Sequence, residues 1–253
     1  MVHPQLSSIL ILFLLGFIAA LIDSTVGGGG LITLPTLLSL GLPPTLAFGT
    51  NKFAGTLCAL TSSTSYFRSG KINVKVVAVL LPLSLLGAIV GAIIVHHLST
   101  SFLKPLVIVL LFAVLLYTIW KKDIGRHMTF SSFTKKTWLI AAFVALIIGF
   151  YDGFFGPGTG SFLILFFLFI GFDFISAAGN AKVLNLASNI AALAAFAVLH
   201  SIDFFYGIIL GGAMILGALI GPQIAMRKGV TFIRPIFILI TFVLLLQQVW
   251  NLF

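Results

Sequence analysis

Four ionisable side chains, Asp23, Lys52, Asp152 and Lys182, stand deep inside apolar stretches of this 253-residue sequence. Buried in hydrocarbon, each would cost at least about 2.5 kcal/mol unless paired, so each marks an ion pair, a ligand seat or a proton carrier. The groups around them are hydrogen-bond donors. Asp23 is followed by Gly27, Gly28, Gly29 and Gly30, and Asp152 by Gly156, Gly158 and Gly160. Glycine lets backbone approach a ligand closely, and a helix starting there would offer free N–H groups and a positive dipole end to an anion. Asn51 and Thr56 flank Lys52; Asn180 precedes Lys182, which shares one helical face with Asn185 and Asn189. Ammonium, amide and hydroxyl donors together suit a small tetrahedral oxyanion. Two readings stay open. Asp23 pairs with Lys52 and Asp152 with Lys182, pinning each glycine turn to the next helix; or the lysines attract an anion while Asp23 or Asp152 carries a proton.

The elements that hold these residues follow from composition. The chain is 60% hydrophobic and 8% charged, whereas soluble domains are about 25% charged. Several apolar runs have the roughly 20 residues that span a bilayer as a helix; barrel strands would alternate apolar and polar residues instead. The fold class is therefore an all-α polytopic membrane protein, with the lipid bilayer as its surroundings. The net charge of +9 fits basic cytoplasmic loops better than nucleic acid. One cysteine, Cys58, excludes an intramolecular disulfide. There is no GxxxxGK[ST] phosphate loop, and neither a metal-ligating His/Glu set nor a nucleophile–base pair lies at depth. No cofactor and no enzymatic activity are expected.

The sequence repeats itself. DSTVGGGG at 23–30 matches DGFFGPGTG at 152–160, GTNKFAG at 49–55 matches GNAKVLN at 179–185, LGAIVG at 86–91 matches LGALIG at 216–221, and FLKP at 102–105 matches FIRP at 232–235. Asp23 thus corresponds to Asp152 and Lys52 to Lys182. Residues 1–120 form the first repeat: a glycine-broken hairpin at 6–40 and spans at 45–66, 75–95 and 102–120. A polar linker fills 121–136. Residues 137–253 form the second, with a hairpin at 137–171 and spans at 175–199, 204–226 and 232–251. Segment 9–40 divides at the glycines into arms of about 14 and 10 residues, from the length a span can take, and the second arm of each hairpin begins at Leu31 or Ser161.

If each broken segment returns to its starting side, the repeats are inverted. Arg68, Lys71, Lys75, Lys121, Lys122, Arg126, Lys135, Lys136, Arg227, Lys228 and Arg234 then share one face, against Lys104 alone on the other. Parallel repeats would split the same residues eight to four. The positive-inside rule selects inversion, with both termini outside the cytoplasm. The basic loop RSGKINVK at 68–75 corresponds to VLHSIDFF at 198–205, which has lost every Lys and Arg, as opposite-facing loops would. Inverted repeats with interrupted helices are the sequence signature of a transporter with a midplane site. Gly87/Gly91 and Gly217/Gly221 read as close helix contacts.

The paired D-x-x-x-G-x-G hairpins, GTNK in the first half and GNAKVLNLASN in the second resemble the sulfite exporter TauE/SafE family, from about Gly16 to the last span. That resemblance implies a bacterial or archaeal cytoplasmic membrane protein exporting a small sulfur-containing anion, sulfite or an organosulfonate. Ala181 stands where the first half has Asn51, making the two lysine sites chemically unequal. An anion channel and a membrane assembly subunit that moves nothing are the alternatives. Homo-oligomerisation stays open.

Overall fold

The computed structural model describes residues 6–94 and 125–250, together with Val109, Phe112, Leu116, Ile119 and Trp120. The expected span 102–120 and the start of the linker lie largely outside the described residues. Elsewhere the described chain is helical: α1 (Leu6–Val26), α2 (Gly30–Ser39), α3 (Pro44–Arg68), α4 (Val74–Ile94), α5 (Lys135–Phe154), α6 (Thr159–Phe169), α7 (Phe174–Val198), α8 (Phe204–Lys228) and α9 (Val230–Trp250). Helices α1, α4, α5, α7 and α8 are long and apolar enough to cross a membrane. The chain is a multi-pass helical membrane protein.

Local sequence sets the ends. Pro43 and Pro44 open α3, where a missing N–H is harmless. Asp173 caps α7 by accepting from the N–H groups of Ile175 and Ser176, and Asp203 caps α8 by accepting from Tyr206. Both short helices close alike. Leu42 N–H donates to Leu37 O past Gly41, and Phe172 N–H donates to Phe167 O past Gly171.

The breaks are narrower than the sequence suggested. α1 continues through Asp23-Ser24-Thr25 to Val26, and α2 starts at Gly30; α5 reaches Phe154 and α6 starts at Thr159. Arms of 21 and 10 residues replace the expected 14 and 10. The reason is local satisfaction: Ser24 donates to Ala20 O and Thr25 to Leu21 O, so these polar residues sit inside a helix without loss. α5 also begins at Lys135, two residues early, because Thr134 and Thr137 form a capping box ahead of it.

Glycine sets how closely the helices approach. Gly87 and Gly91 of α4 lie on the α5 backbone near Leu146, Phe150 and Phe154, while Gly149 and Gly153 of α5 lie on Ser84 and Ala88. In the matching contact, Gly217 and Gly221 of α8 meet Phe17, Leu21 and Ser24 of α1. Both pairs run parallel. α3 and α7 run opposite ways: Gly49 meets Ser201, Gly55 meets Asn189, and Tyr66 meets Gly179. Thr50 and Asn180, matched positions in the two halves, make matching bonds. Thr50 Oγ1 accepts from Asp203 N–H at 2.9 Å, and Asn180 Oδ1 from Asn73 N–H at 2.8 Å.

A side chain at Gly153 would run into the Ala88 backbone, whereas Gly212 has open space around it. Gly153→Leu is expected to destabilise the protein by about 3 kcal/mol or more, since backbone cannot yield as side chains do. Gly212→Ala should leave it intact. Size-exclusion profiles and melting of the detergent-solubilised variants check both.

Candidate functional site

The two glycine breaks meet. Gly27, at φ +79°, lies directly on Gly160 and Ser161, so close that no Cβ fits, and Ser161 Oγ donates to Val26 O across the contact. Gly156, at φ +93°, leaves room for the Lys52 ammonium beside it. Both positions require glycine for space as well as for φ.

Around this meeting point the four buried charges form two ion pairs, and the pairs cross between the halves. Lys52 Nζ donates to Asp152 Oδ1 at 2.8 Å, and Lys182 Nζ donates to Asp23 Oδ2 at 2.6 Å. The expected pairing of Asp23 with Lys52 and Asp152 with Lys182 is therefore wrong. The contact between the tips carries each aspartate towards the opposite lysine, a geometry that sequence proximity hides.

The aspartates have different companions. Asp152 Oδ2 also accepts from Asn185 Nδ2 at 3.2 Å and from the Ser188 hydroxyl. Asp23 Oδ1 accepts from Gly29 N–H at 3.0 Å and so caps α2, while the Cys58 thiol lies 3.6 Å from Oδ2. Ser188 and Cys58 are matched positions, 130 residues apart in the repeat. Sequence reading missed Ser188, although its place two turns after Lys182 on a face rich in amides was a signal.

A cavity of about 30 Å3, open to the centres of water molecules, lies between the tips and the pairs. That is room for about two waters. Of the expected anion-binding residues, Gly28, Gly30, Asn51, Lys52, Gly156, Gly158, Gly160, Asn185 and Asn189 line it, together with Asp23 and Asp152. Gly55, Thr159 and Met214 join them. Asn51 Oδ1 is occupied by the Thr33 hydroxyl. Among the described residues no protein partner meets Asn51 Nδ2, the Asn189 amide, or the N–H groups of Gly30 and Gly160. Asn189 is only 6% exposed, and the cavity is what it lines.

Other expected residues are used elsewhere. Lys182 is buried against Asp23 and does not line the cavity. Gly27 and Gly29 serve the tip contact and the Asp23 cap. Thr56 donates back to Lys52 O within its own helix. Asn180 is fully buried at the α3–α4 turn, where it holds Asn73, because it lies on the next helical turn from the site. A larger cavity of about 640 Å3 between residues 130–137, α5 and α6 is lined by Phe130, Phe133, Ile140, Phe162 and Phe166. Among the described residues none that lines it is charged.

The crossing has a direct test. Lys52→Met or Asp152→Asn alone strands a buried charge and should cost about 3–5 kcal/mol. Combining the two should restore most of the loss, while Lys52→Met with Asp23→Asn should not. Pairing within each half would give the opposite pattern in melting of the purified variants.

The sulfite exporter TauE/SafE family model matches residues 12–247. A probable membrane transporter protein of Haemophilus influenzae is 36% identical over 242 residues, covering 95% of this chain and 94% of that one. The probable membrane transporter protein ORF9 of a Sinorhizobium species is 36% identical over 240 residues, 93% and 90% of the two chains. YfcA of Escherichia coli K12, also called a probable membrane transporter protein, is 30% identical over 249 residues, 96% and 90%. No solved structure matches significantly. With its glycine tips, crossed ion pairs and apolar helices inside a match of this length, the chain belongs to the sulfite exporter TauE/SafE family of membrane transporters.

Proposed function

We propose that the protein is a secondary transporter exporting a small sulfur-containing oxyanion, sulfite or an organosulfonate. Transport proceeds by alternating access around the two glycine tips. The carrying observation is the set of uncommitted donors at the cavity: the Asn189 and Asn51 amides and the N–H groups of Gly30 and Gly160, beside Lys52. Such donors, gathered around one cavity, suit the several oxygens of an oxyanion. The family name supports the sulfur chemistry.

Inverted repeats complete the reading. The opposite directions of α3 and α7, helices that correspond in sequence, support it, as does the positive-inside count. In that arrangement each glycine hairpin enters from its own side and the tips meet at mid-membrane, with both termini outside a bacterial or archaeal cytoplasm. One half rocking against the other would open the seat to each side in turn. Net negative charge leaving the cell gains about 2.3 kcal/mol per charge per 100 mV, interior negative, so a dianion keeps this gain even when one proton leaves with it.

One observation favours a second reading. Both Asp–Lys pairs are closed, as in an assembly subunit that carries nothing. Labelled sulfite flux into proteoliposomes under an imposed potential separates the two. Saturable flux is expected, falling at least about tenfold in Lys52→Ala, a loss of one buried charge contact. Absence of flux for sulfite, sulfonates and sulfate would leave the assembly reading.

A further inference from the structure

We propose that Asp152, and not Asp23, is the proton-binding group of the transport cycle, and that anion and proton occupy the site together. This deepens the transport reading and rests on it.

The first argument is charge. While Lys52 holds Asp152, the ammonium that lines the cavity is already committed to a carboxylate. The two pairs sum to zero charge. An anion entering alone would leave a net negative charge in a dry interior, which is strongly unfavourable. A proton taken by Asp152 removes both obstacles. The neutral carboxyl releases the Lys52 ammonium, the ammonium turns to the anion, and a monoanion leaves the site neutral overall.

The second argument is which aspartate can be protonated without losing its hydrogen bonds. A neutral carboxyl must donate, so at least one neighbour must be able to accept. Ser188 can. Its hydroxyl lies within reach of Asp152 Oδ2 and also of Leu184 O and Asn185 O, both at 3.1 Å. Turning its own proton to Leu184 frees a lone pair for the Asp152 O–H. At Asp23 the fixed partner is Gly29 N–H, a backbone donor that can never accept, and the position matching Ser188 holds Cys58, a weak acceptor. Asp23 also keeps Lys182, which has no access to the cavity. The duplicated site thus offers Asp152 a hydroxyl that can accept its proton and offers Asp23 only a thiol.

Among the described residues the charged surroundings of Asp152 are few. Lys52 comes from α3, and Asp23 of α1 with Lys182 of α7 forms the neighbouring pair. Tyr151, next in chain, commits its hydroxyl to Pro157 O. No titratable residue comes from α4 between Leu80 and Ile94, nor from α6.

The test uses methanesulfonate, which carries no exchangeable proton at neutral pH, and purified protein in vesicles holding a trapped pH dye. Wild type is expected to move about one proton with each sulfonate, in the same direction. Asp152→Asn should retain sulfonate counterflow while the proton-to-sulfonate ratio collapses; Asp23→Asn should keep the wild-type ratio. If Asp152→Asn fails to fold, Asp152→Glu should shift the pH dependence of coupled flux and Asp23→Glu should not. Sulfonate flux in wild type without proton movement overturns the inference and leaves transport standing. A ratio lost in Asp23→Asn but kept in Asp152→Asn overturns the assignment. No flux of any sulfur oxyanion removes the transport reading itself.

Discussion

A carboxylate or an ammonium cannot stay alone among helices packed this tightly. Removing one partner from a buried pair costs about 3–5 kcal/mol, so the positions of Asp23, Lys52, Asp152 and Lys182 are mutually fixed. Because each pair joins the two halves, neither half can keep its charges satisfied without the other. The glycine breaks serve this constraint. Gly27 and Gly160 bring the tips into backbone contact, which carries each aspartate to the far lysine. The glycines of α4, α5 and α8 then draw the surrounding helices into backbone contact.

Duplication gives the site its outline, and divergence gives it its uses. Thr50 and Asn180, matched in sequence, both steady a turn of the other half. Ser188 and Cys58, also matched, do not do the same work, because a hydroxyl accepts a hydrogen bond and a thiol barely does. Asn185 and Asn189 face the cavity where the first half has Gly55 and Ala59, and Asn51 faces it where the second has Ala181. The amides therefore gather near Lys52, while Lys182 is left as a clasp.

Much of this was legible in residue order. Apolar runs of about 20 residues marked a helical membrane protein, and five described helices have that length and composition. The length of α1 was not legible, because Ser24 and Thr25 look like breakers until their bonds to Ala20 O and Leu21 O are seen. Nor was the crossing. Sequence spacing ties Asp23 to Lys52, the nearer lysine, and only the tip-to-tip contact reverses that choice. Asn180 misled for a related reason: one helical turn separates a cavity-lining position from one that holds a turn.

The central claim is that an anion takes the place of Asp152 on Lys52, between the glycine tips. Crystals grown with selenite, an electron-dense analogue of sulfite, test it most directly through anomalous scattering. The account predicts one selenium peak within hydrogen-bond reach of Lys52 Nζ and the Asn189 amide, with Asp152 turned away and the Lys182–Asp23 pair intact. A peak on Lys182 with the Lys52–Asp152 pair closed, or no peak between the tips at saturating selenite, would contradict it.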